Sequence, residues 1–104
     1  MELDKKELKD KLDKFNNFLL VDLEKVIKDE MIIQTVPVEV LILQSPEYNK
    51  YDHTAQSRGL IAVGKKQYRV KVTAYFSVNR IEIQSKIFSI TIRFDFGGEV
   101  EGGA

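Results

Sequence analysis

The sequence has no cysteine, one histidine and two prolines among its 104 residues. The absence of cysteine excludes disulfide frameworks, thiolate metal sites, cysteine nucleophiles and Cys-x-x-Cys redox chemistry. A chain of this length buries roughly two thirds of the surface that it exposes when unfolded, so packing alone can stabilise it. The sequence therefore predicts a domain held together by a hydrophobic core, with no cofactor.

Long hydrophobic runs are also absent. The longest apolar stretches, such as residues 40–43, are far shorter than the ~20 residues that span a bilayer. Residues 1–14 alternate charges with isolated leucines and lack the apolar core of a signal peptide. We therefore expect no membrane segment and a cytoplasmic location. Small chains of this kind are common among structural and accessory proteins of phages and mobile elements, which adds the virion as a second expected location.

The charges balance to a formal net charge of zero, which argues at first against a dedicated nucleic-acid binder. Their distribution is uneven, however. Residues 1–30 carry seven basic and nine acidic side chains, whereas residues 45–96 carry nine basic and four acidic ones. Neutrality is thus a cancellation between an acidic N-terminal portion and a basic C-terminal portion, and an acidic or nucleic-acid partner stays open.

An amphipathic helix is the strongest local signal. Apolar residues recur every three or four positions, which places them on one stripe: Leu8, Leu12, Phe15, Leu19, Leu23 and Val26. Asp4 and Glu7 have the spacing of a capping box at the helix start. Asn16 and Asn17 are poor helix formers and favour a bend or break at mid-length. The pattern predicts a helix over residues 5–29.

After the helix the apolar period changes to two, which is typical of β-strands. The predicted strands cover residues 34–43, 60–63, 67–78 and 81–96. Gly64 and Lys65 predict a two-residue type II′ hairpin between the second and third of these strands. Residues 45–58 show no apolar period and contain Pro46, so we expect a long surface loop there.

The last two predicted strands form a long hairpin with its turn at Asn79 and Arg80. The apolar phase slips once after Ile83, and a β-bulge at Ile87 and Phe88 explains that slip. With this register, every apolar residue of the hairpin lies on one face of the sheet. That agreement is the main support for the hairpin.

The predicted fold class is α+β. Residues 1–96 form one domain, in which the long N-terminal helix packs on an about four-stranded antiparallel sheet with the bulged hairpin. Residues 97–104 are Gly-rich and acidic, which favours a flexible tail. The element order is similar to the cystatin-type α+β roll. The Gln-x-Val-x-Gly inhibitor motif of that family is absent, since Thr35, Val36 and Pro37 follow Gln34, and no inhibitor function is implied.

Catalytic and metal-binding patterns are weak. His53 is the single histidine, and neighbouring residues on one loop, such as Asp52 and Ser57, rarely form a triad with it. One imidazole among irregularly spaced carboxylates is a poor metal site. The Gly59–Lys66 stretch resembles a phosphate-binding loop, but a strand follows it and Lys66 stands where a hydroxyl residue would hold magnesium. We expect a protein without enzymatic activity and without a metal site.

The strand alternation leaves polar side chains on the sheet face that points away from the helix, and basic groups outnumber acidic ones there. The candidate binding residues on this outer face are Arg69, Lys71, Tyr75, Lys86 and Arg93, with Arg58 at the rim. One interpretation is an ordinary solvated face of an antiparallel sheet. The other is a flat basic surface that meets phosphate, a nucleobase or an acidic protein patch.

Two further features indicate contact surfaces. Tyr48 and Tyr51 in the predicted loop are either interface residues or a cover for the sheet. Leu41 and Leu43, together with the strand edges of the sheet, favour self-association or strand addition unless the loop covers them. The first hypothesis is therefore a non-catalytic protein-interaction or assembly module that contacts a protein partner or another copy of itself. The alternative is a nucleic-acid-binding protein that uses the basic outer face.

Overall fold

The computed structural model describes residues 4–31 and 35–97. The chain begins with helix α1 (Lys5–Asn17), continues through one π-helical turn (Phe18–Asp22) and ends its helical part with α2 (Leu23–Glu30). The capping box is present, because Glu7 N–H donates to Asp4 Oδ1 at 2.8 Å and Asp4 N–H donates to Glu7 Oε1 at 3.4 Å. The predicted helix is thus confirmed and extends one residue further than expected.

The π-helical turn lies directly after Asn16 and Asn17, where a bend or break was expected. Four consecutive apolar residues occupy it, and a π turn admits one extra residue into the helix. Phe18 and Leu19 are buried, while the side chains of Leu20 and Val21 are 81% and 65% exposed. The extra residue keeps the later core positions of the helix in line with the earlier ones.

Six strands form one antiparallel sheet, which confirms the α+β class and enlarges the predicted sheet of about four strands. The strands are β1 (Val38–Leu43), β2 (Glu47–Asn49), β3 (Thr54–Val63), β4 (Lys66–Tyr75), β5 (Arg80–Ser85) and β6 (Ser89–Arg93). Their order is β1-β3-β4-β5-β6, and β2 also pairs with β3. Within the described part of the chain, no helix has the length and apolarity needed to cross a membrane.

The expectation of a long loop over residues 45–58 is wrong. That segment forms β2, a turn, and the first half of β3, with Tyr48 opposite Ala55. The apolar period is hidden in the sequence because the core-facing positions at the start of β3 hold small residues, Ala55 and Ser57, which are 0% and 1% exposed. The predicted strand 60–63 is therefore only the end of β3.

The first predicted strand, residues 34–43, is shorter in the structure. It begins at Val38, and Gln34 lies outside the described residues. The two-residue turn at Gly64 and Lys65 is present: Gly64 has a φ of +65°, and Val63 lies opposite Lys66. Glycine adopts that φ without the steric penalty that other residues have.

The prediction of a long bulged hairpin is wrong in the strand register and in the bulge. Ile83 lies opposite Val72, four residues from the predicted partner Phe76, because residues 76–79 form the connection. In it, Asn79 alone adopts positive φ, at 50°, and Arg80 belongs to β5. Asparagine tolerates this conformation better than arginine.

Residues 86–88 are a turn between β5 and β6, at the position where the bulge was predicted. A hydrogen bond of 3.0 Å from Ser85 N–H to the Phe88 carbonyl closes it. The predicted strand 81–96 is thus two strands. The face assignments nevertheless survive, because the register shift between β4 and β5 is an even number of residues.

The core lies between the helix and one face of the sheet. Phenylalanines after the last strands close it against the helix: Phe96 contacts Phe15 edge to face with ring centroids 6.4 Å apart, and Phe94 contacts Phe18 at 5.3 Å. The Phe76 and Phe96 rings lie 4.9 Å apart. The three sheet-side rings therefore tie the end of the described chain to the middle of the helix.

Gly97, the first residue of the predicted tail 97–104, takes part in two hydrogen bonds. Lys11 is buried on the helix and donates from Nζ to the Gly97 carbonyl at 2.7 Å, and Gly97 N–H donates to Asp95 Oδ1 at 2.8 Å. Residues 98–104 lie outside the described residues.

Candidate binding groove on the outer sheet face

The outer face of the sheet arranges its polar side chains in rows that cross the strands. One row runs through Arg58, Lys71, Gln84 and Ser89 on β3 to β6. Arg69 lies two residues from Lys71 on β4, on the same face. The alternation of β3 and β4 therefore puts three cations, Arg58, Arg69 and Lys71, beside one another.

A shallow groove of about 760 Å³ lies over this part of the face. Its lining contains four of the predicted site residues, Arg58, Arg69, Lys71 and Lys86, where Lys86 comes from the turn between β5 and β6. The remaining side chains of the lining are polar or apolar without charge: Ile42, Gln44, Leu60, Val70, Gln84 and Ser85. No carboxylate lines this groove among the residues that the structure describes, so its charge is purely positive.

Hydrogen bonds to their backbone carbonyls fix the positions from which the two arginines extend. Gln44 N–H donates to the Arg58 carbonyl at 2.8 Å, and Ser85 Oγ donates to the Arg69 carbonyl at 2.8 Å. The guanidinium of Arg58 donates from Nη2 to Gln56 Oε1 at 3.2 Å, which is a neutral acceptor. In the described ranges, none of the four groove cations forms an ion pair.

Tyr75 lies at the other end of the outer face and is already engaged. Its hydroxyl donates to Glu82 Oε1 at 3.0 Å, and the Arg80 guanidinium lies over its ring, 4.6 Å from the centroid. Desolvation by burial raises the pKa of Tyr75 above its ordinary value of 10.0, and the hydrogen bond to Glu82 raises the pKa further. Arg93 is exposed beside this cluster, opposite Arg80. The structure therefore separates Tyr75 and Arg93 from the groove.

The two candidate tyrosines of the predicted loop have different environments. Tyr48 belongs to β2 and stacks on Phe76 with ring centroids 6.1 Å apart, on the core side of the sheet. Tyr51 lies in the turn after β2, and its side chain is 86% exposed. Lys50 Nζ lies 5.6 Å from the centroid of the Tyr51 ring. Tyr51 is thus an exposed ring, and Tyr48 packs against the core.

The residues considered for a catalytic triad engage separate partners. His53 Nδ1 lies 3.3 Å from the Tyr48 hydroxyl, Asp52 Oδ1 accepts from Thr54 Oγ1 at 2.7 Å, and Ser57 Oγ donates to the Gln44 carbonyl at 2.6 Å. Across residues 4–31 and 35–97, no group of three or more His, Asp or Glu side chains is placed to hold a metal ion.

The two outer edges of the sheet differ, and the sequence does not reveal this difference. At the β1 edge, Val40 N–H donates to Glu24 Oε2 on α2 at 2.8 Å, and the strand is bulged between Val40 and Ile42. In an antiparallel pair of strands, every second residue of a strand forms backbone hydrogen bonds with its partner strand. Phe88 and Phe94, which flank β6, form such bonds with Ser85 and Asn79, so Ile90 and Ile92 between them also bond to β5. The residues of β6 whose backbone groups face away from β5 are therefore Ser89, Thr91 and Arg93.

These outward-facing backbone groups of β6 have no hydrogen-bond partner in the part of the chain that the structure describes. The strand is regular, since its five residues pair with β5 without a register shift. Unpaired backbone groups on a regular edge are a template for pairing with another strand. The β6 edge is therefore a second candidate contact surface. It offers backbone hydrogen-bonding groups, whereas the basic groove offers positively charged side chains.

The fold defines a small α+β protein, and its sheet carries two candidate contact surfaces. The chain is 36% identical over 96 residues to the uncharacterized protein ORF100 of Acidianus two-tailed virus, and the match covers 90% of this chain and 89% of the relative. The chain therefore belongs to the same family as this viral protein. No family model and no solved structure matches the chain.

Proposed function

We propose that this protein is a non-catalytic assembly module whose partner is a second copy of the same chain, joined through β6. The observation that carries the proposal is the free, regular edge of β6. The viral relative supports a viral protein, whose place of action would be the infected cell or the virion.

Pairing of β6 with β6 of a second copy is compatible with the strand sequence. With Thr91 opposite Thr91 of the other copy, Ser89 lies opposite Arg93. The outward-facing backbone groups of all three residues can then form hydrogen bonds with the second strand. Ile90 then lies opposite Ile92 on the core side. Like charges do not face each other, and a Thr–Thr pair is a favourable cross-strand pair. The two sheets would become one, related by a two-fold axis.

The test is the molar mass in solution. Multi-angle light scattering on a size-exclusion column should show a mass that rises from monomer towards dimer over a concentration series. Thr91→Lys places like charges opposite each other at the centre of the pairing and should hold the protein as a monomer.

Two controls keep this test specific to the β6 edge. Ser77→Lys adds the same charge at an exposed position outside the strands and should leave the dimer intact. Thr91→Val keeps strand propensity without charge and should also dimerise. A wild-type protein that stays monomeric at the highest concentration would overturn the proposal.

The alternative function, nucleic-acid binding, has its own observation in favour of it. The basic groove gathers four of the eight predicted site residues, and we argue its ligand below.

A further inference from the structure

We propose that the groove over β3 and β4 binds the phosphodiester backbone of duplex nucleic acid without reading its sequence. The proposal rests on residues other than the β6 edge. A protein that remained a monomer and still bound duplex DNA would remove the assembly function and leave this inference standing.

The first step is the charge of the groove. Arg58, Arg69, Lys71 and Lys86 line it, and no carboxylate among the described residues does so. On the outer face, acidic side chains sit one row away, at Glu39, Glu47 and Glu82, and in the described residues none of them forms an ion pair with a groove cation. Glu82 already accepts from the Tyr75 hydroxyl and lies 3.7 Å from Arg80 Nε. The four cations are therefore available to an external anion.

The second step is their spacing. Arg58 and Lys71 face each other on neighbouring strands, so their backbones lie about 5 Å apart, and Arg69 and Lys71 are separated by about 7 Å along β4. Lys86 extends the set past the end of β5. Such an array offers separate contacts to several phosphates of one polymer.

The third step is the absence of a stacking surface. The groove lining contains no aromatic side chain within the residues described, and the Tyr75 ring at the other end of the face is covered by Arg80. Proteins that bind single strands stack bases on exposed rings, whereas phosphate contacts alone suffice for a duplex. Arginine forks match phosphate oxygens in a bidentate manner, which favours phosphate as the bound group.

The experiment measures binding of a fluorescent random-sequence DNA duplex by anisotropy at several salt concentrations. Four phosphate contacts predict a slope of log K against log salt of about −3 to −4, and roughly a 100-fold weakening between 50 and 200 mM salt. A second duplex of different sequence should bind equally well, because phosphate contacts carry no sequence information.

The matched variants separate the groove from overall charge. Arg58→Gln, Lys71→Gln and Lys86→Gln, combined in one protein, should reduce the slope to about −1 and weaken binding at least about tenfold at 50 mM salt. The control combines Lys5→Gln, Lys6→Gln and Lys28→Gln on the exposed helix surface, which changes the net charge equally. It should retain the wild-type slope. Circular dichroism establishes that both proteins are folded.

Four outcomes would overturn the inference. They are no binding to any duplex at low salt, equal loss in the groove variant and the helix control, much tighter binding of single-stranded DNA than of duplex, and equally tight binding of polyglutamate of the same charge. The third would indicate recognition of bases. The fourth would identify an acidic protein as the partner.

Discussion

The two ends of the outer sheet face both contain basic side chains but differ in how these are paired. At the groove end, Arg58, Arg69 and Lys71 lie together without a carboxylate. At the other end, Arg80 lies beside Glu82 and over the Tyr75 ring. In the described residues, the cations of the first end form no ion pair, whereas at the second end Arg80 pairs with Glu82 and Arg93 stays exposed. A count of basic residues on a face therefore does not locate a binding surface.

The groove end should be the more sensitive to backbone change. Gly59 lies next to Arg58, and a Cβ on it would collide with the Ile42 carbonyl, which the β1 bulge places there. Backbone atoms cannot move aside as a flexible side chain would. Gly59→Ala should therefore lower the free energy of unfolding by about 3 kcal/mol or more.

Urea denaturation followed by circular dichroism measures this change. Gln56→Ala, on the outer face of the same strand, is the control and should cost less than about 1 kcal/mol. A Gly59→Ala protein as stable as wild type would mean that β1 does not hold its carbonyl over this position.

Particular residues show which parts of this structure the sequence could predict. The capping box at Asp4 and the helical stripe depend on neighbours in the chain, and both were predicted correctly. The pairing of Val72 with Ile83 depends on the length of the connection at residues 76–79, and several lengths bring apolar residues to one face. Face assignment therefore survives a register error, because any even shift preserves it.

The candidate site shows the same division. The outer-face positions of Arg69, Lys71 and Arg93 follow from alternation alone. Arg69 and Lys71 lie in the groove and Arg93 lies outside it because the chain turns after Ser85. The sequence pattern predicts a bulge at that position instead of a turn. The hydrogen bond from Tyr75 to Glu82 likewise depends on the strand register. It forms because Glu82 lies opposite Thr73, two residues from Tyr75 on β4.

Removing the carboxylate from the second end should make the two ends more alike. In Glu82→Gln, Arg80 loses its ion-pair partner, although the amide oxygen still accepts from Tyr75. We expect a loss of about 1–2 kcal/mol in unfolding free energy, and duplex DNA affinity at low salt that rises roughly two- to fivefold because the face becomes more positive.

Glu30→Gln is the matched control for this change. It removes the same charge from an exposed position on helix α2, away from the outer sheet face, and should leave stability within about 0.5 kcal/mol of wild type. If both variants gain DNA affinity equally, net charge alone explains the gain, and the idea that Glu82 neutralises its own end of the face is wrong.

The smallest expected effect concerns the Tyr75 hydroxyl. Tyr75→Phe removes its hydrogen bond to Glu82 and should lower the free energy of unfolding by about 1 kcal/mol at neutral pH. Tyr51→Phe, at an exposed ring, should change stability by less than about 0.5 kcal/mol. Groove binding should be unaffected in both, because neither residue lines the groove.

Alkaline pH gives Tyr75 a signature of its own. Its pKa is raised in the folded protein, by desolvation first and by Glu82 second, so the folded state holds the phenolic proton more tightly than the unfolded state. The unfolded chain then binds fewer protons, and the free energy of unfolding falls as pH rises from about 10 through the raised pKa. Below pH 10 this contribution is fully present and constant. Unfolding of wild type and Tyr75→Phe across this range should therefore converge as pH rises, and an unchanged difference between them would mean that Tyr75 ionises as it does in the unfolded chain.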